Sequence, residues 1–250
     1  MRVTGERIVT SSGGFNASWQ RHAACYSLAA QFLDGGTVLD IGCGTGHAHV
    51  LLAPRRVVGL DLEPEPLGAL AGPCVAADMR NLPFAGDRFS SVLSIHSIEH
   101  IPDPEPLLAE SVRVLRPDGV AVFVTPNRLT FGMPDEIIDP YHYREYDPLE
   151  LEAVCREHYR RVQIYALFGS PRYMDFFDDE RRQLRSLLRK DPLRLRKILP
   201  RRVRQILYDY KLTRSRIREG SPGSEFTTSD FELRSDRPEA GLDLMAVCSR

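Results

Sequence analysis

The segment from Val38 to His47 constrains the fold of this chain more than any other. It reads VLDIGCGTGH, an apolar run that contains Asp40 and leads into a turn with glycine at every second position. Glycine tolerates positive φ and has no side chain to block a ligand, so such a turn brings backbone close to bound groups. The pattern predicts a buried parallel strand whose carboxyl end presents a glycine loop to a ligand.

A second acidic residue follows at the spacing typical of nucleotide-binding sheets. The run Val57–Leu60 is apolar and is followed by Asp61. An acid at the tip of the second strand binds ribose hydroxyls in such sheets. The glycine spacing differs from the G-x-G-x-x-G of dinucleotide sites, and Asp40 would repel a pyrophosphate, so a nicotinamide cofactor is disfavoured. A carboxylate at that position instead suits a ligand that carries a positive amino group and a sulfonium.

Together these segments resemble the cofactor motifs of class I S-adenosylmethionine-dependent methyltransferases, and the resemblance covers about residues 35–170. It implies an α/β fold with a doubly wound, mostly parallel sheet of seven strands, and S-adenosylmethionine as cofactor. The Asp40 loop is then expected to hold the methionine end, Asp61 the ribose, and Asp78 with Met79 the adenine. The cofactor-binding residues implied are Asp40, Gly42, Cys43, Gly44, Asp61, Leu62, Asp78, Met79, Ser94 and His96.

Short apolar runs followed by turn signals predict the elements of this sheet. Strands are expected at about 37–41, 57–61, 73–77, 90–96, 120–125 and 161–168, and helices at about 15–33, 106–115 and 148–157. Such alternation favours a parallel sheet. The run Pro117-Asp118-Gly119 predicts a turn before the fifth strand. Leu242–Cys248 is expected as the last strand, which the resemblance places antiparallel between the fifth and sixth.

Four segments follow from this organisation. Residues 1–34 are expected to form an N-terminal cap helix region and residues 35–173 the cofactor-binding core. Residues 174–224 carry apolar side chains at i, i+3 and i+4 spacing and predict an inserted basic helical lid or dimerisation element. Residues 225–250 are expected to supply the strand that completes the sheet.

The net charge of −1 conceals a strong asymmetry along the chain. From Arg181 to Arg218 there are 15 Lys and Arg residues and two acidic ones, a charge of +13, which leaves −14 for the rest. The basic helices are interpreted as a solvated lid or homodimer face, as a surface for an anionic substrate, carrier or membrane, or as an RNA-binding surface. Nucleic acid is the least favoured partner, because aromatic residues are sparse there and Asn127 ends a Thr-Pro-Asn run rather than an Asn/Asp-Pro-Pro-Tyr motif.

Composition places the chain among ordinary globular proteins, with 42% hydrophobic and 27% charged residues in 250. No apolar stretch approaches the roughly 20 residues needed to cross a bilayer, and the polar N-terminus does not resemble a signal peptide. The five cysteines are scattered and odd in number, without a CxxC pair. These features predict a reduced, cytoplasmic protein.

The segment from Asp135 to Tyr146 is the expected acceptor site, since it follows the fifth strand. His142 is the first candidate for a general base, because histidine titrates near neutral pH. His96 and Glu145 are further catalytic candidates. The carboxylates could instead hold Mg²⁺, or the segment could be only a hydrogen-bonded loop. The metal ligands expected are Asp135, Glu136 and Asp139.

Acceptor contacts are expected from the N-terminal helix and from the chain after the fifth strand. The substrate-binding candidates are Trp19, His22, Asn127, Tyr141, His142 and Tyr143. The Glu99-His100 pair after the fourth strand is interpreted as structural, with His100 as an alternative catalyst. The favoured reaction is O-methylation of a small molecule, with a sugar or oligosaccharide hydroxyl ahead of a phenolic or quinone precursor. A non-catalytic cofactor-binding protein that docks a partner through its basic helices is the alternative class.

Overall fold

The fold is built around one eight-stranded sheet. A computed structural model of the chain describes residues 15–131, 137–189, 199–216 and 222–250. The strands are β1 (Thr37–Ile41), β2 (Arg56–Asp61), β3 (Cys74–Ala76), β4 (Phe89–Ile95), β5 (Leu115–Pro126), β6 (Arg161–Gly169), β7 (Phe231–Arg234) and β8 (Asp243–Ser249). Their order across the sheet is β3-β2-β1-β4-β5-β8-β6-β7.

Strand direction follows the expected pattern with one addition. Strands β1 to β5 run parallel to one another. Strand β8 lies between β5 and β6 and is antiparallel to both, as the resemblance implied. The sheet has eight strands instead of seven, because β7 pairs antiparallel with the outer side of β6. This edge strand has only four residues. So short a run carries little periodicity, which explains why the sequence pattern did not predict it.

Helices cover both faces of the sheet. They are α1 (Phe15–Ala29), α2 (Pro64–Leu67), α3 (Glu105–Val114), α4 (Arg128–Phe131), α5 (Pro148–Arg156), α6 (Pro171–Arg189) and α7 (Arg201–Arg216). Helix α5 begins at a capping box, in which the Asp147 side chain accepts from the Glu150 N–H and the Glu150 side chain accepts from the Asp147 N–H. Pro148 occupies the first turn, where its missing N–H costs nothing.

The apolar core lies in two clusters, one on each side of the sheet. One contains Leu39 of β1 and Phe123 of β5 together with residues of α3 and α5. The other contains Val38 and Val124 from the same two strands, packed with residues of α1 and α6. Neighbouring residues of one strand therefore point to opposite cores, and the central strands are buried on both faces. The doubly wound α/β architecture is confirmed.

The run Pro117-Asp118-Gly119 does not form the separate turn that was predicted. It lies inside β5, between the pairs Phe89–Leu115 and Ser91–Val120, where the register of β4 against β5 shifts. The extra residues of β5 are absorbed in this irregularity. A Cβ at Gly119 would lie 2.8 Å from the Ser90 carbonyl oxygen, so glycine is required where the two strands approach.

The predicted basic insertion contains two long helices in its described part, and α6 begins at Pro171, a few residues before the segment expected for it. The exposed side of α7 carries Val203, Ile206 and Tyr210. Within the described ranges, no helix is both long and apolar enough to span a bilayer.

Candidate active site

The glycine loop after β1 adopts the backbone conformation that its glycines permit. Gly42, Gly44 and Gly46 have φ values of +74°, +55° and +63°. A Cβ at Gly42 would lie 2.2 Å from the Ser97 Oγ, so this position requires glycine. A Cβ at Gly44 would meet nothing within 4 Å among the described residues. The loop therefore presents backbone to open space at Gly44, as a ligand cradle would.

Asp40 is fully buried beneath this loop, and one of its carboxylate oxygens has no hydrogen-bond partner among the described residues. Its Oδ2 accepts a hydrogen bond from the Tyr26 hydroxyl at 2.9 Å and lies 2.8 Å from the His49 Nε2. Its Oδ1 is buried, and no described residue bonds to it. A buried carboxylate oxygen without a partner is costly unless a donor arrives. The Asp40 side chain thus fits a ligand that carries a positive amino group.

Asp61 at the end of β2 fixes the shape of the same loop. Its Oδ2 accepts from the Gly44 N–H at 2.9 Å, and its Oδ1 accepts from the Glu63 N–H at 3.0 Å. Each carboxylate oxygen can accept more than one hydrogen bond, so ribose hydroxyls can still bind there. The Leu62 side chain beside it is 62% exposed and offers an open apolar surface.

Asp78 and Met79 follow β3, but Asp78 already has a partner. Its carboxylate accepts from Arg80, with Nη2 2.6 Å from Oδ2, and this hydrogen bonding lowers the pKa of Asp78. An adenine amine at this position would have to share the carboxylate with Arg80. The Met79 Cε lies 3.8 Å from the position of a Cβ at Gly42, so the Met79 side chain does border the glycine loop.

The end of β4 carries His96 in a strained conformation. Its φ of +50° lies in the left-handed region, which non-glycine residues enter only when their surroundings hold them there. The adjacent Ser97 Oγ donates to the Ile41 carbonyl of β1 at 3.3 Å and so fastens this turn to the glycine loop. Ser94 is fully buried, and its Oγ has no partner in the described part of the chain.

Asp243, the first residue of β8, is the charged partner of His96. The His96 Nε2 lies 3.2 Å from its Oδ1. Arg21 of α1 donates from Nε to Oδ2 at 2.6 Å and from Nη2 to Oδ1. Burial alone would raise the pKa of Asp243, but Arg21 and His96 hold it well below its usual range. An ionised, buried aspartate therefore supports the His96 imidazole, an arrangement that suits a general base.

Three imidazoles and one indole meet beside the glycine loop. The Trp19 and His47 ring centroids are 4.0 Å apart, and the His22 ring lies 5.1 Å from His47 and 5.3 Å from His96. Burial, only partly offset by Asp40, lowers the pKa of His47 to about 4. Burial and the two neighbouring imidazoles also lower the pKa of His22 well below its ordinary value. Since both rings are neutral at pH 7, they form a flat, uncharged wall next to His96.

The residues around His142 form a second polar group, after β5. The His142 Nδ1 lies 3.0 Å from the Glu145 Oε1, and its Nε2 lies 4.0 Å from Asp139. Burial lowers the pKa of His142, but Glu145, Asp139 and Glu99 more than offset this and raise it. The Tyr143 N–H donates to the Glu99 carbonyl at 2.8 Å and so joins the two segments. Asp135 and Glu136, the other predicted metal ligands, lie outside the described residues.

Asn127 ties the end of β5 to the chain just before β8. Its Nδ2 donates to the carbonyls of Pro238, Glu239 and Gly241 at 3.2, 3.1 and 2.8 Å. Its Oδ1 accepts from the Leu129 N–H. The amide nitrogen is bonded within the protein, and the substrate-binding role expected for Asn127 stays a prediction.

The tyrosines of the acceptor segment contact helix α7. The Tyr141 hydroxyl donates to the Asp209 Oδ2 at 2.7 Å. The Arg201 guanidinium lies 3.5 Å from the centre of the Tyr143 ring and also donates to the carbonyls of Pro140 and Tyr141. The basic helix is thus packed against the segment that contains His142, the position that a lid over an acceptor would occupy.

Several residues of these two groups were not predicted from the sequence. Arg21 and Asp243 are paired across most of the chain, so no local motif marks them. Tyr26 and His49 bind Asp40 from an adjacent helix and a short helical turn. The one available signal was His49 itself, which lies three residues beyond the last glycine of the motif.

Comparison with known proteins agrees with this geometry. Residues 39–123 match the family described as a methyltransferase domain. A probable S-adenosylmethionine-dependent methyltransferase of Mycolicibacterium smegmatis is 34% identical over 157 residues, 60% of this chain and 61% of that protein. Another from Mycobacterium tuberculosis is 29% identical over 184 residues, 70% of this chain and 67% of that protein. The match thus spans less than two thirds of the first of these relatives.

Solved structures share the fold at low sequence identity. One from Thermotoga maritima, described as an S-adenosylmethionine-dependent methyltransferase and possible histamine N-methyltransferase, has a TM-score of 0.60 at 16% identity and covers 92% of this chain and 90% of its own. The [4+2]-cyclase SpnF has a TM-score of 0.56 at 16% identity, covering 91% and 81%. At such identities the likeness shows the fold alone.

The family match, the sheet order and the glycine loop agree with one another. Residues 39–123 match the methyltransferase-domain family, and the fold around them is that of the class I S-adenosylmethionine-dependent methyltransferases. S-adenosylmethionine is the cofactor of that class, and the spare Asp40 oxygen, the open space at Gly44 and the Asp61 carboxylate fit its parts.

Proposed function

We propose that this chain methylates a hydroxyl group of a small molecule, with a sugar or oligosaccharide as the favoured acceptor. The observation that carries the proposal is His96, held in a left-handed conformation beside buried Asp243 at the edge where the glycine loop lies. A hydroxyl must lose its proton during methyl transfer, and an imidazole oriented by a carboxylate is suited to accept it.

The cofactor, when bound, supplies a methyl group already activated by its sulfonium. The task of the protein is therefore to align an acceptor oxygen with that methyl and to keep it there. Asp40 orients the amino group of the cofactor, and Asp61 orients its ribose. Met79 and Leu62 provide an apolar surface for its adenine ring. The His96 imidazole receives the hydroxyl proton, and ionised Asp243 stabilises the imidazolium that results.

His96 is a stronger candidate for the base than His142, the first choice from the sequence. The His96 Nε2 lies 3.2 Å from the Asp243 Oδ1, within ion-pair distance but without hydrogen-bond geometry, and the His96 side chain is 19% exposed. The His142 side chain is only 6% exposed, and its Nδ1 is paired with Glu145. Glu145 therefore orients His142 in this proposal instead of contacting the acceptor.

The acceptor class is inferred from the walls of the site. Trp19 and His22 are placed with His47 beside the catalytic candidate, and their flat faces suit a ring. Tyr143 is 51% exposed on the side where α7 packs, whereas the Tyr141 hydroxyl donates to Asp209 and the Asp139 Oδ1 accepts from the Tyr141 N–H. This mixture of flat and polar groups favours a sugar, with a phenolic or quinone ring as the second choice.

We further propose a cytoplasmic location and a partner that packs against α7. All five cysteines are free thiols, four of them buried, which suits a reducing, cytoplasmic compartment. The apolar and arginine-bearing outer side of α7 is where a homodimer or an anionic carrier would pack.

The test is turnover with an acceptor panel. Purified protein is incubated with S-adenosylmethionine and monosaccharides, oligosaccharides or phenols, and S-adenosylhomocysteine is quantified. With an accepted compound, His96→Asn should lower kcat by a factor of about 100 to 10,000 while cofactor affinity is retained. His158→Asn is the control, because the His158 imidazole contacts Glu105 of α3, and this variant should keep full turnover. Turnover of His96→Asn at the wild-type rate would remove His96 from the role of base.

A further inference from the structure

We infer that Glu99, His100 and His142 form a binding site for one divalent transition-metal ion. Each of the three residues offers one ligand atom, and these atoms lie within 4.8 Å of one another. The His100 and His142 ring centroids are 5.2 Å apart at a near-perpendicular angle. The site joins the turn after β4 to the acceptor segment after β5, and it differs from the Asp135, Glu136 and Asp139 set that the sequence suggested.

The hydrogen bonds around both histidines leave one lone pair on each ring. The His100 Nδ1 lies 3.2 Å from the Tyr141 carbonyl oxygen. A carbonyl only accepts, so Nδ1 carries the hydrogen and Nε2 has the lone pair. The His142 Nδ1 faces the Glu145 carboxylate, which in its ionised form also only accepts, and this again leaves Nε2 as the ligand. Metal-binding histidines are characteristically oriented by such carbonyl and carboxylate partners.

Glu99 contributes a carboxylate oxygen that lacks a partner. Its residue is 1% exposed, and its Oε2 accepts from the Thr125 hydroxyl at 3.1 Å. Its Oε1 is buried and has no hydrogen bond within the described part of the protein. A buried carboxylate oxygen without a donor is expensive, and a cation bound to the Glu99 Oε1 would remove that cost.

Two other groups of potential ligands lack these features. Cys25, His96 and Asp243 also lie close together, but Arg21 holds both Asp243 oxygens and places a positive charge against any metal ion. In the group of Glu105, Glu157 and His158 both carboxylates are exposed, and the Glu105 Oε2 already lies 2.8 Å from the His158 Nε2. Among the described residues, only the Glu99 group combines burial, unpartnered oxygen and oriented imidazoles.

The ligand set indicates which ions would bind. Two imidazole nitrogens with a carboxylate suit Mn²⁺, Fe²⁺, Co²⁺ or Zn²⁺, whereas Mg²⁺ prefers oxygen ligands only. Such an ion lowers the pKa of a coordinated hydroxyl and orients it. This role at the acceptor rests on the proposed function, but the binding of the ion does not.

The experiment measures metal binding directly and separately from turnover. The full chain is freed of metal with a chelator and titrated with Mn²⁺, while the electron paramagnetic resonance signal reports the free ion. We expect one Mn²⁺ per chain for the wild type. Glu99→Gln and His100→Asn should each weaken binding by at least about tenfold. His158→Asn, in the exposed group, is the matched control and should bind as the wild type does.

Two further measurements distinguish a loss of metal binding from a loss of folding and from a loss of cofactor binding. Thermal melting with and without Mn²⁺ shows that each variant is folded, and the ion should raise the melting temperature of the wild type but not of Glu99→Gln. Calorimetry of S-adenosylmethionine on the chelated protein tests the cofactor site independently. The inference is overturned if the wild type binds neither Mn²⁺ nor Zn²⁺, or if both folded variants, Glu99→Gln and His100→Asn, bind with wild-type affinity.

Discussion

Arg21 and Asp243 form a buried, bidentate ion pair that connects the N-terminal helix α1 to the first residue of β8. The same guanidinium donates to the Leu242 carbonyl at 2.9 Å. Asp243 in turn supports His96. The cap helix α1 is therefore connected electrostatically to the candidate base through one carboxylate.

Removing the cation from this pair should be costly. Arg21→Met leaves the fully buried Asp243 carboxylate without its cationic partner, and we expect the free energy of unfolding to fall by about 3 to 5 kcal/mol. Urea denaturation of the variant measures this. Arg156→Met, which breaks an exposed pair with Glu152, should cost less than about 1 kcal/mol. Equal losses in the two variants would contradict the central position given to Asp243.

Folding stability should increase with pH as His47 loses its unfolded-state proton. His47 has a pKa of about 4 in the folded chain, against 6.5 when unfolded. Between these values the unfolded chain binds more protons, so stability falls as pH is lowered from 6.5 to 4 and changes little from this group above 6.5. The full difference corresponds to about 3 kcal/mol.

Urea denaturation at several pH values tests this titration. His47→Asn should flatten the decline between pH 6.5 and 4 without abolishing it, because His22 is shifted in the same direction. A variant whose stability declines as steeply as that of the wild type would show that folding does not lower the pKa of His47.

Gly42 should tolerate no side chain. Gly42→Ala places a Cβ against the Ser97 Oγ at a positive φ, and we expect a loss of about 1 to 3 kcal/mol in stability. Cofactor affinity should also fall, since the Ser97 turn fastens β4 to the loop. Gly35→Ala is a fair comparison, because nothing described lies within 4 Å of its Cβ. Melting curves measure the stability of both variants, and calorimetry measures their cofactor affinity. Equal losses in Gly42→Ala and Gly35→Ala would contradict this prediction.

The central fold could be predicted because its signals are local. β1 has the predicted limits, since an unbroken buried run ends at glycines of positive φ. β7 could not be predicted, because four residues on a sheet edge leave almost no pattern. The bulge at Pro117–Gly119 was mistaken for a turn, because proline and Asp-Gly favour both.

In the candidate site, only the residues that belong to a local sequence motif could be predicted. Asp40, Asp61 and Met79 lie around the glycine loop as the motif implies. The pairing of Asp243 with His96 depends on β8 inserting beside β5, and no residue near either one indicates that contact. The hydrogen bond from the Asn127 amide to the Gly241 carbonyl, just before β8, likewise has no local sequence signal.

The central claim is that this domain binds S-adenosylmethionine through Asp40, the glycine loop and Asp61. Calorimetric titration of S-adenosylmethionine, S-adenosylhomocysteine and NAD⁺ tests it most directly, on the wild type, Asp61→Ala and the surface control Asp236→Ala. We expect the two adenosyl ligands to bind the wild type and Asp236→Ala alike and to bind Asp61→Ala at least about tenfold more weakly. Binding of NAD⁺ in their place, or adenosyl binding unaffected by Asp61→Ala, would contradict the account.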